Sequence, residues 1–185
     1  MPPIANQQLE ERILKTAARL WRTRGEDGLT LRVVAREAGT TTPTVYKRFR
    51  NKQALMRALA ERFRAQLNEQ LFASSSLDDV CRRYLRYVEE HPHEYQLLWH
   101  TWSEIFHPEG PRPGRIWLLN LLATRFGGEP EDYARTFYAL FLVTHGAASL
   151  LTAPENDENA RTEVRKNCLA ICDTILENVP IFRSK

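Results

Sequence analysis

LRVVAREAGTTTPTVYKRF, residues 31–49, sets an Ala-Gly pair, three threonines and a proline between two short apolar-periodic runs. Leu31, Val34, Ala35 and Ala38 share one helical face, and Val45 and Phe49, four apart, share another. Gly39 offers the left-handed backbone that ends helices, which residues with a Cβ adopt only at a cost. Thr30 is placed to cap the first helix and Thr41 the second, with Pro43 tolerated in the first turn. Two short helices meeting at a tight turn outline a helix-turn-helix, and Ala35 is small where they would cross. The second helix carries Thr42, Thr44, Lys47 and Arg48 on its remaining face. Such a helix enters the DNA major groove by its N-terminal end. Free backbone N–H groups and the positive end of the helix dipole would favour a phosphate there.

Outward from this stretch nearly everything reads as helix, so the expected fold class is all-α. Leu9, Ile13, Ala17, Leu20 and Trp21 define a helix over 7–24, which RGEDG terminates. Asn51 caps a long helix running to about Phe72. ASSSLDD (73–79) is small and polar and marks the domain boundary. The expected division is 1–50 for the helix-turn-helix, 51–72 for a connecting helix and 73–185 for a second domain. Further helices are expected near 77–90, 92–106, 113–126, 131–152 and 157–178, the last capped by Asn156.

Charge divides along the same line. Residues 1–72 hold 14 Lys/Arg against 7 Asp/Glu, and residues 73–185 hold 12 against 16. A basic front and an acidic back imply that only the front meets a polyanion. The apolar runs YALFLV and IWLLNLLA are too short to span a bilayer, so no membrane partner is expected. MPPIANQQLEER has no apolar secretory region, and a cytoplasmic location is expected. Cys81, Cys168 and Cys172 lie in apolar-periodic runs and read as buried small hydrophobes. Redox sensing by Cys168 and Cys172 is left open, since an i, i+4 spacing does not favour a disulfide.

TLRVVAREAGTTTPTVYKRFRNKQAL (30–55) resembles the helix-turn-helix of the tetracycline-repressor (TetR) family of bacterial transcription regulators. The residues that carry the resemblance are Thr30, Arg32, Ala35, Ala38-Gly39, Pro43, Val45-Tyr46, Phe49, Lys52 and Leu55. EEHPHEYQLLW and ALFLVTHGAASL are similar to the subgroup with a His-Gly pair in its penultimate helix, although Phe141 stands where that subgroup has Trp. The resemblance implies a ligand-responsive repressor that binds a palindromic operator in double-stranded DNA as a homodimer. It further implies phosphate contacts from Tyr46, Lys52 and Thr44, base contacts from Thr42 and Pro43, and a guanine or phosphate contact from Arg32. Thr41 joins this set through its cap position, and Lys47 and Arg48 join it through their charge. A dimer neutralising about eight phosphates would show a log–log salt slope of DNA affinity near −7.

The second domain is dense in aromatics. Trp99, Trp102, Trp117, Tyr138, Phe141 and His145 are candidates to line a pocket for a small, mostly apolar or aromatic effector. Gly146, Ala147 and Ser149 permit close helix approach, and Ile171 and Ile175 lie on a broad apolar stripe. These five are the candidate dimer contacts, in a bundle of two helices from each subunit. One alternative is a metal-responsive regulator using His100, Glu104 and His107, with His91 and His93 nearby. Another is a helical adaptor that binds only proteins. No phosphate-cradling glycine loop or nucleophile elbow is present, so neither catalysis nor a cofactor is expected.

Overall fold

The computed structural model describes residues 4–100 and 112–182. All regular structure among the described residues is helical: α1 (Ile4–Arg24), α2 (Leu31–Glu37), α3 (Thr42–Tyr46), α4 (Lys52–Phe72), α5 (Leu77–Glu90), α6 (Pro92–His100), α7 (Pro113–Phe126), α8 (Ala134–Leu151), α9 (Glu158–Glu177) and α10 (Val179–Phe182), with a 3-10 turn at Pro130–Tyr133. The chain forms two compact units. Among the described residues, one holds 4–65 and 93–100, and the other holds 66–92 and 112–182.

In the first unit, α1 buries Ile13, Ala17, Leu20 and Trp21, and α4 buries Leu55, Leu59, Ala60 and Phe63. Each large apolar side chain among these contributes about 1.5–3 kcal/mol by leaving water. The helix-turn-helix packs on this base through Leu31, Val34, Ala35, Val45 and Phe49. Its corner has the expected chemistry. Thr30 accepts the Val33 N–H at 3.2 Å, and Gly39 has φ of 62°. The Gly39 and Thr40 N–H groups return to the carbonyls of Arg36 and Ala35 at 3.2 and 2.9 Å. This paired closure satisfies carbonyls that the end of α2 would otherwise leave open. Asn51 caps α4 by accepting the Ala54 N–H at 2.8 Å.

The expected boundary after residue 72 differs from the observed grouping, because α6 is anchored in the first unit. The Trp21 indole N–H donates to the His93 carbonyl, and the Arg22 guanidinium donates to the Glu94 carboxylate. Glu94 is 1% exposed, so its charge is tolerated only with such a partner. Tyr95, Leu97 and Leu98 are buried beside it in sequence. The composition break at 73–79 marks only the turn between α4 and α5.

The second unit is built around α8 and α9. Its core includes Cys81, Leu85, Leu119, Leu122, Tyr133, Leu140, Leu151, Cys172 and Leu176. Arg165 on α9 pairs with Glu89 on α5. The helix expected at 131–152 begins as the 3-10 turn, and Asp157 caps α9 in place of Asn156 by accepting the Ala160 N–H at 2.8 Å. Asn156 instead donates its amide to the Leu150 carbonyl at 2.6 Å. All three cysteines are free and buried. A hydrogen bond with Cys172 and burial raise the Cys168 thiol. Cys168 pulls Cys172 down, but Cys81 and burial outweigh it and push Cys172 up to about 12. Thiols this reluctant to ionise are poor redox sensors.

A Cβ at Gly39 would meet nothing within 4 Å, so a substitution there tests backbone conformation alone. Gly39→Ala is expected to destabilise the first unit by about 1 kcal/mol, and Gly39→Asn by less. Urea unfolding of the full chain, followed by tryptophan fluorescence, measures both.

Candidate nucleic-acid interface

The interface rests on how little of α3 is needed for packing. Each residue turns a helix by about 100°, and Val45 and Phe49 fix the inward side with 0% and 5% exposure. Pro43 and Lys47 then point roughly the opposite way, and both are exposed. Tyr46, 53% exposed, and the half-buried Thr44 flank that line on either side. Thr42 is half-buried and lies toward the core side, so the base contact expected of it falls more naturally to Pro43.

Hydrogen bonds sort the remaining polar groups. Thr41 accepts the Thr44 N–H at 3.3 Å, and its hydroxyl lies 2.8 Å from that of Thr44. That N–H, expected to be free for a phosphate, is therefore used inside the turn, and α3 is only five residues long. The Arg48 guanidinium donates to the Thr44 carbonyl at 3.2 Å, which turns it back along α3. Lys52 donates to the carbonyl and the carboxylate of Glu26, both at 3.3 Å, tying the start of α4 to the loop after α1. Arg32, Lys47 and Arg50 are exposed and make no ion pair or hydrogen bond among the described residues. Arg50 was not among the residues singled out in the sequence. Its exposure beside the α3–α4 turn makes it a cation available to a phosphate.

Residues 13–59, from α1 through the helix-turn-helix into α4, match the sequence profile of bacterial regulatory proteins of the tetR family. Residues 13–59 thus form an N-terminal region of the tetR type. The chain is 41% identical over 56 residues to the class C tetracycline repressor protein of Escherichia coli, a match covering 30% of this chain and 26% of that protein. The chain thus spans about a quarter of the length of that curated relative. Beyond the N-terminal region the likeness is one of fold. A TetR-like transcriptional regulator from Rhodococcus sp. RHA1 superposes with a TM-score of 0.61 at 18% identity, over 96% of this chain and 99% of that one. A TetR-family regulator from Streptomyces coelicolor gives 0.61 at 24%, over 90% and 99%. The multidrug binding protein EbrR, solved with imidazole, gives 0.61 at 18%, over 89% of each chain. The matched residues stop short of His145-Gly146, so the His-Gly subgroup of the TetR family is not assigned.

The remaining candidates are distributed unevenly. Phe137, Phe141 and His145 form a ladder on α8, with ring centroids 5.8 Å apart at each step and planes within 8° of parallel. Tyr138 meets the edge of Phe137 at 5.5 Å. Burial lowers the pKa of His145, which keeps the imidazole neutral at pH 7. The Arg115 guanidinium lies 5.9 Å from the centre of Phe137 while donating to both oxygens of Glu131, at 3.0 and 2.7 Å. Trp117 packs on Phe72 at 5.1 Å, and the exposed Trp99 belongs to the first unit. Trp102, Glu104, His107 and the side chain of His100 lie outside the described residues. No cluster of three metal-ligating side chains occurs among the described residues. Of the dimer candidates, Gly146, Ser149 and Ile171 are exposed. Ala147 and Ile175, expected as dimer contacts, are 7% and 6% exposed and pack into the core of the second unit. Leu142 and Leu150, 59% and 52% exposed, are large apolar side chains that α8 leaves uncovered. Their exposed positions share a face with Gly146, which the sequence pattern of α8 already contained.

Lys52 and Glu26 give a paired test of the phosphate face. Lys52→Ala is expected to weaken binding to every DNA sequence and to flatten the salt slope of a dimer by about 1.8. Glu26→Gln removes a carboxylate that holds Lys52 and would repel phosphate. It is expected to tighten binding about two- to fivefold. Fluorescence anisotropy with a labelled duplex across a salt series measures both.

Proposed function

We propose that this chain is a ligand-responsive transcriptional repressor that binds a palindromic operator as a homodimer. The observation that carries the reading is the outer surface of α3. Pro43, Tyr46 and Lys47 stand exposed on a helix whose other side is anchored by Val45 and Phe49, in a segment matching the TetR profile. One such helix reads few base pairs, so specificity calls for two.

Dimerisation is supported by the face of α8 bearing Leu142, Gly146, Ser149 and Leu150, together with Ile171 on α9. A Cβ at Gly146 would meet nothing within 4 Å, so another helix can come close there. Apolar side chains this exposed gain from burial against a second copy.

The effector reading is supported by the Phe137–Phe141–His145 ladder, beside an Arg115 already neutralised by Glu131. Rings with a neutral imidazole suit a small, mostly apolar or aromatic molecule. The description of the EbrR neighbour as a multidrug binding protein accords with an effector of that kind. Response would follow by linkage: a ligand that prefers the conformation with misplaced reading helices lowers DNA affinity by the same factor that DNA lowers ligand affinity. α4 contributes residues to both units, and the His93 segment is bonded to α1 through Trp21 and Arg22. A shift of either segment would therefore reach the helix-turn-helix.

Selecting bound sequences from random duplex DNA, with and without a library of aromatic compounds, tests the whole reading. An enriched inverted repeat whose binding is released by a compound is the expected result, and no enrichment would sink it. For the dimer, Leu142→Glu is expected to give folded monomers in analytical ultracentrifugation. Ala148→Glu, at a position with 0% exposure, is expected to unfold the second unit by circular dichroism.

A further inference from the structure

Among the cations around α3, Lys47 has a placement that no other shares. Arg48 is turned back onto the Thr44 carbonyl, and Lys52 is held by Glu26. Arg32 and Arg50 are exposed, but they lie on α2 and in the turn after α3. Lys47 is exposed at the end of α3 itself, roughly opposite the anchoring pair Val45 and Phe49. Its backbone keeps helical angles (φ −63°, ψ −22°), and its N–H bonds to the Pro43 carbonyl at 3.1 Å. Lys47 therefore stacks one turn beyond Pro43 on the outermost line of the helix, while Tyr46 and Thr44 lie on its flanks.

We infer that Lys47 reads a guanine in the floor of the major groove, making it a residue that sets operator specificity rather than general affinity. This deepens the DNA-binding reading above and rests on it. Groove walls are phosphate and the floor is base edges, so residues on the flanks of an inserted helix meet phosphate and those on the outermost line meet bases. In the floor a lysine ammonium finds paired acceptors only on guanine, at O6 and N7. Adenine offers N7 beside a donor, and cytosine offers a donor. Pro43, with no N–H and an apolar ring, suits a thymine methyl. Four residues separate the two by about 6 Å along the helix axis. That is close to two base-pair steps of about 3.4 Å. The operator half-site should hold a guanine within about two base pairs of a thymine contacted by Pro43.

The test is selection from random duplex DNA by the full-length wild type and by Lys47→Ala, Lys47→Gln and Lys47→Arg, with salt slopes measured on the winning duplex. The wild type is expected to enrich guanine at one position of each half-site. Lys47→Ala should lose at least about fivefold of that preference while keeping the other positions. Lys47→Gln should move the preference to adenine, and Lys47→Arg should retain guanine. Arg50→Ala serves as the contrasting variant: it should lower affinity for all sequences and flatten the slope, with the base profile unchanged. Circular dichroism confirms that each variant folds, which the exposure of both side chains favours. An unchanged base profile in Lys47→Ala overturns the assignment, whether affinity falls uniformly or stays the same. A wild type that enriches a sequence while Lys47 variants select the same one leaves the DNA-binding reading standing without this inference. A wild type that enriches nothing overturns both.

Discussion

The reversal of the chain at Gly39 is the constraint on which the interface depends. α2 must end at Glu37, and α3 must begin at Thr42, three residues after Gly39, at an angle that buries Val45 and Phe49. The left-handed backbone at Gly39 makes the reversal, and the bonds from Gly39 and Thr40 to the last carbonyls of α2 hold it. Thr41 then starts α3 by taking one of its open N–H groups. Everything that faces outward from α3 is set by this corner, because a helix of five residues has no stability of its own to orient it.

Electrostatics of the basic half is less a sum than a sorting. Its surplus of positive charge would attract a polyanion, but the ion pairs decide which cations remain available to one. Arg19 is bound to Glu37 and Arg62 to Glu11, so part of the surplus serves to fasten α1 to α2 and to α4. The buried Glu94 applies the same logic to α6. A carboxylate removed from water fixes the position of the guanidinium that meets it, giving α6 one register against the end of α1.

Much of the fold was legible in the sequence because its signals were local. The caps at Thr30, Thr41 and Asn51 and the helix starts at Leu77 and Pro113 follow from residue chemistry within a few positions. What stayed hidden was non-local. No periodicity reveals that Trp21 reaches His93 or that Arg22 reaches Glu94, and so the grouping of α6 with the first unit was not readable. The same limit applies to Ala147 and Ile175. Ala147 is small enough for a close helix approach and Ile175 lies on a broad apolar stripe, and only the packing of α8 on α9 decides that both face the core while Leu142 and Leu150 do not. At the interface, residue type suggested Lys47, Arg48 and Lys52 alike. The difference among them lies in carbonyls and carboxylates that a sequence does not bring together, and Arg50 was passed over because an irregular turn carries no period.

The brevity of α3 also bears on heat. A reading helix of one turn and a half keeps its shape only while Val45 and Phe49 stay buried, so the recognition surface and the first unit's core melt as one. On the proposed reading, loss of DNA binding on warming should follow the cooperative unfolding of that unit, with the sharpness of a domain transition.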